Sequence, residues 1–213
     1  MSNEEMSLLS ERLRPRRMSD LILSTYVQRK LEPMLENRKP LNMAFKGPPG
    51  TGKTSTARIF LERWDRDYQL VIDGAKETGV DFIRERVSGF ARTPFLDDHL
   101  RLCFIDEADY LSMNAQAALR VLIEQASDQC RFILALNDIK KLTPALRSRL
   151  HEVDFTVRET DRTEIQNRLQ QRYEKRLGEF GISFDQRRLA ELVFYYSPDF
   201  RSLANAVQFE FGA

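Results

Sequence analysis

The stretch from Met43 to Phe60, MAFKGPPGTGKTSTARIF, constrains the fold more than any other part of this chain. A short apolar run, Met43 to Phe45, predicts a buried strand, and Lys53 to Trp64 is compatible with a helix. Between them Gly47 to Thr54 reads GPPGTGKT, a full match to the phosphate-loop pattern G-x-x-x-x-G-K-[ST]. Gly50 and Gly52 let backbone N–H groups turn inward onto an anionic oxygen. The helix N-terminus adds its partial positive charge at the same place. The loop Gly47, Pro48, Pro49, Gly50, Thr51, Gly52, Lys53 and Thr54, with Ser55 behind it, is therefore expected to cradle a nucleoside triphosphate. Lys53 would reach the β- and γ-phosphates, and Thr54 would place its hydroxyl on Mg²⁺.

The rest of the chain alternates strand and helix. Strand-like runs recur at Leu70–Ile72, Leu100–Ile105, Phe132–Leu136 and Val153–Phe155. Between them apolar residues fall at helical spacing, as in Phe82, Ile83, Val87 and Phe90, then Ala115, Leu119, Leu122 and Ile123. This pattern predicts an α/β fold, a mainly parallel sheet between helices. After Phe155 the pattern turns all-helical, with Ile165, Leu169, Tyr173 and Leu177 on one face of a long helix. Two shorter helices, Gln186–Tyr195 and Asp199–Phe211, follow. The expected organisation is a nucleotide-binding α/β domain over 1–157 and a small helical lid over 158–213.

Composition excludes some classes. The 213 residues suit one sizeable core plus a small appendage, and 42% hydrophobic with 31% charged residues is globular usage. No apolar run approaches membrane-spanning length, and the N-terminus lacks a signal-peptide core, so an intracellular protein without a membrane partner is expected. Cys103 and Cys130 lie in or beside strand-like runs without zinc spacing, which suggests buried thiols in a reducing interior. A net charge of +1 does not by itself point to nucleic acid.

A second group of residues completes the first. LRLCFIDEADY is an apolar strand ending in Asp106 and Glu107. A carboxylate at a strand end beside the phosphate loop holds the Mg²⁺ water shell, and Glu107 suits deprotonation of an attacking water. RFILALND ends a further strand in Asn137, placed to hold that water or the γ-phosphate. In LTPALRSRL, Thr143 caps a short helix with Pro144 at its first position. At its end Arg149 is the candidate to supply an arginine to a neighbour's site, the plainer reading being a solvated arginine favoured by the helix dipole, which fits Arg147 equally well. Arg84, Ser88 and Arg92 share one helix face opposite Ile83, Val87 and Phe90. The row Arg168, Arg172 and Arg176, beside Glu164 and Glu179, reads most simply as a solvated face.

Taken in order, GPPGTGKT, IDEAD, the strand-end Asn and Ser-Arg resemble an AAA+ ATPase. Within that superfamily the chain resembles motor subunits of sliding-clamp loaders: replication factor C small subunits and their phage counterparts. SERLRPRRMSDLI is similar to that family's N-terminal E-K-Y-R-P segment, ETGVDFIRERVSGFART to its G-I-x-x-I-R-x-x-V-x-x-F-A-R-T helix, and SPDFRSLANAV to the lid's G-D-x-R-R-x-x-N. DEADYLSMNAQAALRVLIEQ resembles D-E-A-D-x-L-T-x-x-A-Q-x-A-L-R-R-x-M-E, and the likeness runs over nearly the whole chain.

The resemblance implies roles position by position. ATP and Mg²⁺ are the expected cofactors, with Leu13 and Arg14 in the segment over the adenine. Lys53, Asp106 and Glu107 would act in hydrolysis, with Thr54 and Asp106 on the metal. Asn137 would sense the γ-phosphate, Arg149 would act in trans, and Arg201 would sense the nucleotide from the lid. Arg84, Ser88 and Arg92 would meet DNA phosphates inside a ring of subunits, on primer–template DNA and with a sliding clamp as partner. Leu13 stands where the family has tyrosine, which makes adenine packing apolar. Lys76 and Thr78 depart from N-A-S-D-x-R, and Leu150 replaces a cysteine. The chain ends at Ala213, just past the lid, and the family's helical collar is not in it; a truncation and a natural minimal form fit equally. A branch-migration or fork-maintenance ATPase, and a nucleotide-gated scaffold with little hydrolysis, are the alternative readings.

Overall fold

Alternation along the central strands decides which helix goes where. Met43 and Phe45 point to one face of the sheet and Ala44 to the other; Leu102 and Phe104 oppose Cys103 and Ile105; Ile133 and Ala135 oppose Phe132 and Leu134. Both faces are apolar, so both must be covered, as parallel sheets require.

The computed structural model describes residues 8–92 and 99–212; Thr93, which closes the Phe-Ala-Arg-Thr signature, lies outside them. In chain order the elements are α1 (Leu9–Arg12), α2 (Thr25–Glu36), β1 (Met43–Lys46), α3 (Lys53–Leu61) and β2 (Gln69–Asp73). A helical segment follows in which α4 (Val80–Phe82) and α5 (Ser88–Arg92) flank a wider π-turn, Ile83–Val87. Then come β3 (Arg101–Asp106), α6 (Met113–Gln125), β4 (Cys130–Leu136), α7 (Pro144–Arg147), β5 (His151–Asp154), α8 (Glu159–Glu179), α9 (Gln186–Tyr196) and α10 (Phe200–Phe211). The helix expected through Trp64 stops at Leu61. Its last turns tighten to i−3 bonds, Arg63 N to Phe60 O at 3.1 Å and Trp64 N to Leu61 O at 2.9 Å. The Trp64 indole N–H is instead held by Leu100 O at 2.6 Å.

All strand pairs are parallel, in the order β2-β3-β4-β1-β5. Helices α2 and α3 cover one face through Val27, Leu31, Phe60 and Leu61. The segment 80–92, α6 and α7 cover the other through Ile83, Val87, Leu119 and Leu146. Neighbouring strands β1 and β4 thus send their following helices to opposite faces, which opens a crevice beyond their C-terminal ends. A third cluster joins Ile165, Leu169, Leu189 and Leu203 of the C-terminal helices with Leu9, Leu13 and Ile22 from the N-terminal segment. No described helix is long and apolar enough to cross a membrane. Cys103 and Cys130 are both buried and free.

Candidate functional site

The crevice at the β1/β4 switch point is lined by the phosphate loop, the ends of β3 and β4, the N-terminal segment and the lid helices α8 and α10. Gly50 and Gly52 have φ of +78° and +94°, values open to glycine and costly for other residues. A side chain at Gly50 would also collide with the Asp199 carboxylate, which approaches the loop from the lid.

Lys53 folds back into the loop. Its Nζ donates to Gly47 O at 2.6 Å, Pro48 O at 2.7 Å and Asn137 Oδ1 at 3.0 Å. That uses all three ammonium protons and leaves the Asn137 NH₂ as a donor with no hydrogen-bond partner among the described residues. Thr51 closes the loop through its hydroxyl to Pro48 O at 2.9 Å. Burial pushes the Lys53 pKa below its ordinary value and Arg201 adds to this, while Asp106 and Asp109 pull the other way. An incoming triphosphate, rich in negative charge, would restore the ammonium's preference.

The Thr54 hydroxyl lies 3.0 Å from Asp106 Oδ2 and 3.3 Å from Oδ1. A hydroxyl and a carboxylate held side by side at a phosphate loop are the hard oxygen donors Mg²⁺ takes, with phosphate and water completing its shell. The residues present fit that ion. Glu107 follows in the left-handed region, φ 51° and ψ 40°, with its side chain exposed at the mouth of the crevice. A non-glycine residue there stores about 1–3 kcal/mol of strain. The turn is held by Glu107 N to Asp106 Oδ1 at 3.1 Å, and by Gly74 N to Asp106 O at 2.8 Å.

Three contributors were not visible in the sequence as site residues. A Cβ at Gly74 would stand 2.8 Å from both Asp106 O and Glu107 O, so glycine alone lets β2 end against this turn. Gln116 is 2% exposed, and its amide N donates to Leu111 O and Lys141 O, both at 3.1 Å, while Thr143 N donates to its Oε1 at 2.8 Å. It ties the loop after β3 to the loop after β4. A lone Gln on an otherwise apolar helix face was the available signal. The third is Asp199, whose Oδ1 accepts from Arg201 N at 3.1 Å and Ser202 N at 3.0 Å to cap α10. Next to it, Phe200 N donates to Gly50 O at 3.0 Å and joins lid to loop.

Leu13, Arg14 and Arg201 all line the crevice, and the Arg201 charge is close enough to Lys53 to help lower its pKa. Arg149 does not. Its Nε contacts Glu124 Oε1 at 2.5 Å and its Nη1 reaches Ser148 Oγ at 2.6 Å and Ala145 O at 3.2 Å. Arg147 pairs with Glu152 of β5 at 2.7 Å. Arg84, Ser88 and Arg92 line a separate groove against Asn114, Arg120 and Val121 of α6. Arg86 pairs with Glu77 at 3.4 Å, whereas no ion pair of Arg84 or Arg92 is found among the described residues.

The row Arg168, Arg172 and Arg176 is not the solvated face expected of it. All three are half-buried, and each donates to a backbone carbonyl of the N-terminal segment. Period alone placed them on one face; what covers that face lies roughly the whole chain away.

Residues 43–158 match the ATPase family associated with various cellular activities (AAA). The chain is 33% identical over 211 residues to a replication factor C small subunit of Archaeoglobus fulgidus, covering 96% of this chain and 64% of that one. It is 36% identical over 143 residues to the replication factor C small subunit of Halobacterium salinarum, covering 65% and 44%. The chain thus spans less than two thirds of these relatives' own length. Among solved structures it is similar to the Thermotoga maritima RuvB Holliday junction branch migration motor, with a TM-score of 0.67 at 21% identity, over 92% of this chain and 64% of that one. A DNA polymerase III gamma subunit-related protein of Thermotoga maritima aligns with a TM-score of 0.53 at 15% identity, over 84% and 70%. At such identities these two show the fold alone.

Proposed function

The chain belongs to the AAA family of ATPases, and on that premise we propose that it is the ATP-hydrolysing motor subunit of a sliding-clamp loader, working on primer–template DNA. The observation that carries hydrolysis is the Thr54–Asp106 contact with Glu107 beside it, opposite Lys53 and Asn137. The likeness to replication factor C small subunits across 96% of the chain supports the loader reading over branch migration. The exposed Glu107 carboxylate and the free Asn137 amide argue for turnover rather than a scaffold that only binds.

In this reading the domains are 1–157 and 158–213, and ATP lies with its phosphates on Gly47–Ser55 and its base toward Leu13 and Arg14. Thr54 and Asp106 would hold Mg²⁺, whose charge would offset that of the triphosphate. Lys53 exchanges loop carbonyls for phosphate oxygens. Glu107 takes a proton from the attacking water, which the Asn137 amide orients. Arg201 approaches the phosphates from the lid. Arg149 points away from its own crevice and serves that of a neighbouring subunit, where an arginine stabilises charge in the transition state. Arg84, Ser88 and Arg92 meet DNA phosphates, contacts that hold register without reading sequence. The proposed setting is intracellular, with a clamp and further subunits as partners.

The test is ATP turnover of the chain alone, with primer–template DNA, and with DNA plus candidate clamps. Stimulation by both together is expected. A rate indifferent to either would overturn the loader reading while leaving the ATPase intact.

A further inference from the structure

The arginines of α8 have carbonyl partners far away in sequence. Arg168 Nη1 donates to Leu23 O at 3.0 Å, Arg172 Nη2 to Leu13 O at 2.8 Å and Arg176 Nη2 to Arg12 O at 3.2 Å. Arg12 and Arg176 also both stack on the Phe180 ring, 4.0 and 4.6 Å from its centroid. Ser10 N donates to Gln208 Oε1 of α10 at 3.1 Å, and Leu9, Leu13 and Ile22 fill the lid's own apolar cluster. Residues 9–23 thus form a strap sewn to α8, with Leu9, Leu13 and Ile22 on the lid and Met18, Leu21 and Leu23 on the core of the sheet.

Arg172 differs from the other two. Arg168 has Glu164 at 3.5 Å and Arg176 has Glu179 at 2.8 Å, but no carboxylate pairs with Arg172 among the described residues. It is also the one of the three that lines the nucleotide crevice, beside Leu13, Arg14, Leu169 and Tyr173. Burial lowers its pKa. Asp20 of the strap offsets part of that, but with no carboxylate in direct contact the buried guanidinium leans on the Leu13 carbonyl. Its fork has five N–H donors, and the bond to Leu13 O uses one.

We infer that Arg172 is a positioning residue for the base of the nucleotide: it fixes the strap at Leu13 over the base, so that base binding and lid position are set together. The inference rests on the proposed placement of the base between strap and lid. None of the contacts of Arg172 among the described residues is with the phosphate loop, which makes the effect separable. Inorganic tripolyphosphate binds through the loop and Mg²⁺ alone, while ATP also uses the strap.

The experiment measures Kd for Mg·ATP and for Mg-tripolyphosphate on the full chain, in wild type, Arg172→Met and Arg172→Lys, with Tm in parallel. Loss of a charge-assisted hydrogen bond at the base end should weaken ATP by about tenfold or more. Tripolyphosphate should bind as before. Arg172→Lys, which keeps the charge and an N–H donor group but loses the planar fork, should lie between. If Arg172→Met does not fold, the lysine variant alone must still lower the ratio of ATP to tripolyphosphate affinity. Equal weakening of both ligands would mean a merely structural arginine, and unchanged ATP affinity would mean none of this role; either overturns the inference. Wild type binding ATP no more tightly than tripolyphosphate would instead take the base away from this end, and the site reading would fall with the inference.

Discussion

The two ends of the crevice are built on opposite plans. At the phosphate end, Lys53, Thr54, Asp106 and Asn137 each sit within a loop's length of the end of β1, β3 or β4, and bind one another at 3.0–3.3 Å. Neighbouring parallel strands fix those positions through the backbone ladder. At the base end, partners such as Arg172 and Leu13 are 159 residues apart and meet only because the strap packs on the lid. The hydrogen bond from Phe200 N to Gly50 O, at 3.0 Å, is where the two plans touch. The ladder holds the first set of positions, whereas the strap lies between two cores: its Leu9, Leu13 and Ile22 pack on the lid and its Met18, Leu21 and Leu23 on the sheet. In the proposed placement a nucleotide that spans both ends would couple the fixed site to any shift of strap and lid.

The sharpest way to break this contrast lies outside both ends. The fixed end has no Arg149 of its own, so Arg149→Ala should cut turnover of the assembled protein by about 10³-fold or more. ATP affinity of the isolated chain should barely change. Mixing this variant with Lys53→Ala should restore part of the rate, because one chain brings the loop and the other the arginine. Titrations of the two that form mixed assemblies yet never recover turnover would show that Arg149 does not act in trans.

Within the fixed end, Glu107→Gln should slow turnover by about 10²–10⁴-fold with ATP still bound. Rapid-quench measurement of a single turnover separates the two. If ATP binding falls in step with the rate, Glu107 is holding nucleotide rather than activating water.

Gly74→Ala tests whether that end is rigid. The added methyl would meet Asp106 O and Glu107 O at 2.8 Å, backbone atoms that accept from Gly74 N at 2.8 Å and from Tyr110 N at 3.0 Å. The turn must move, at a cost of about 1–3 kcal/mol, and turnover should fall with it. A variant with wild-type Tm and rate would mean the turn yields freely, and the contrast drawn above would weaken.

The sequence made the fixed end legible because its residues follow apolar strands in short motifs. GPPGTGKT and the strand-end Asp106, Glu107 and Asn137 could be placed by counting along the chain. Strand bounds moved by only a residue or two, as with Val153–Phe155, observed as His151–Asp154. Gly74 was silent, since a glycine's reason for being there is the neighbour it admits. The end built by strap and lid stayed hidden. Arg168, Arg172 and Arg176 share a helix face in any reading, but whether water or the strap covers it is a tertiary fact. Helical periodicity carries no information about that.

The smallest expected effect is an absence of change, and it tests the contrast from within the core. Cys103 and Cys130 lie on β3 and β4, the strands that carry Asp106 and Asn137. Burial raises both thiols, Cys130 to about 12 from an ordinary 9.0. A thiol raised on folding favours the folded state fully below its unfolded pKa, and that contribution is lost as pH rises through the folded value. Near pH 8.5, then, neither thiol should react with a disulfide reagent except when the sheet opens. ATP should slow this labelling only by the factor that ligand binding adds to global stability, and by the same factor for both cysteines. Amide exchange in residues 9–23 and α8 should slow by more than that factor, because strap and lid close on the base. Strap exchange that tracks cysteine labelling at every ATP concentration would mean one rigid body, with no movable end to be coupled.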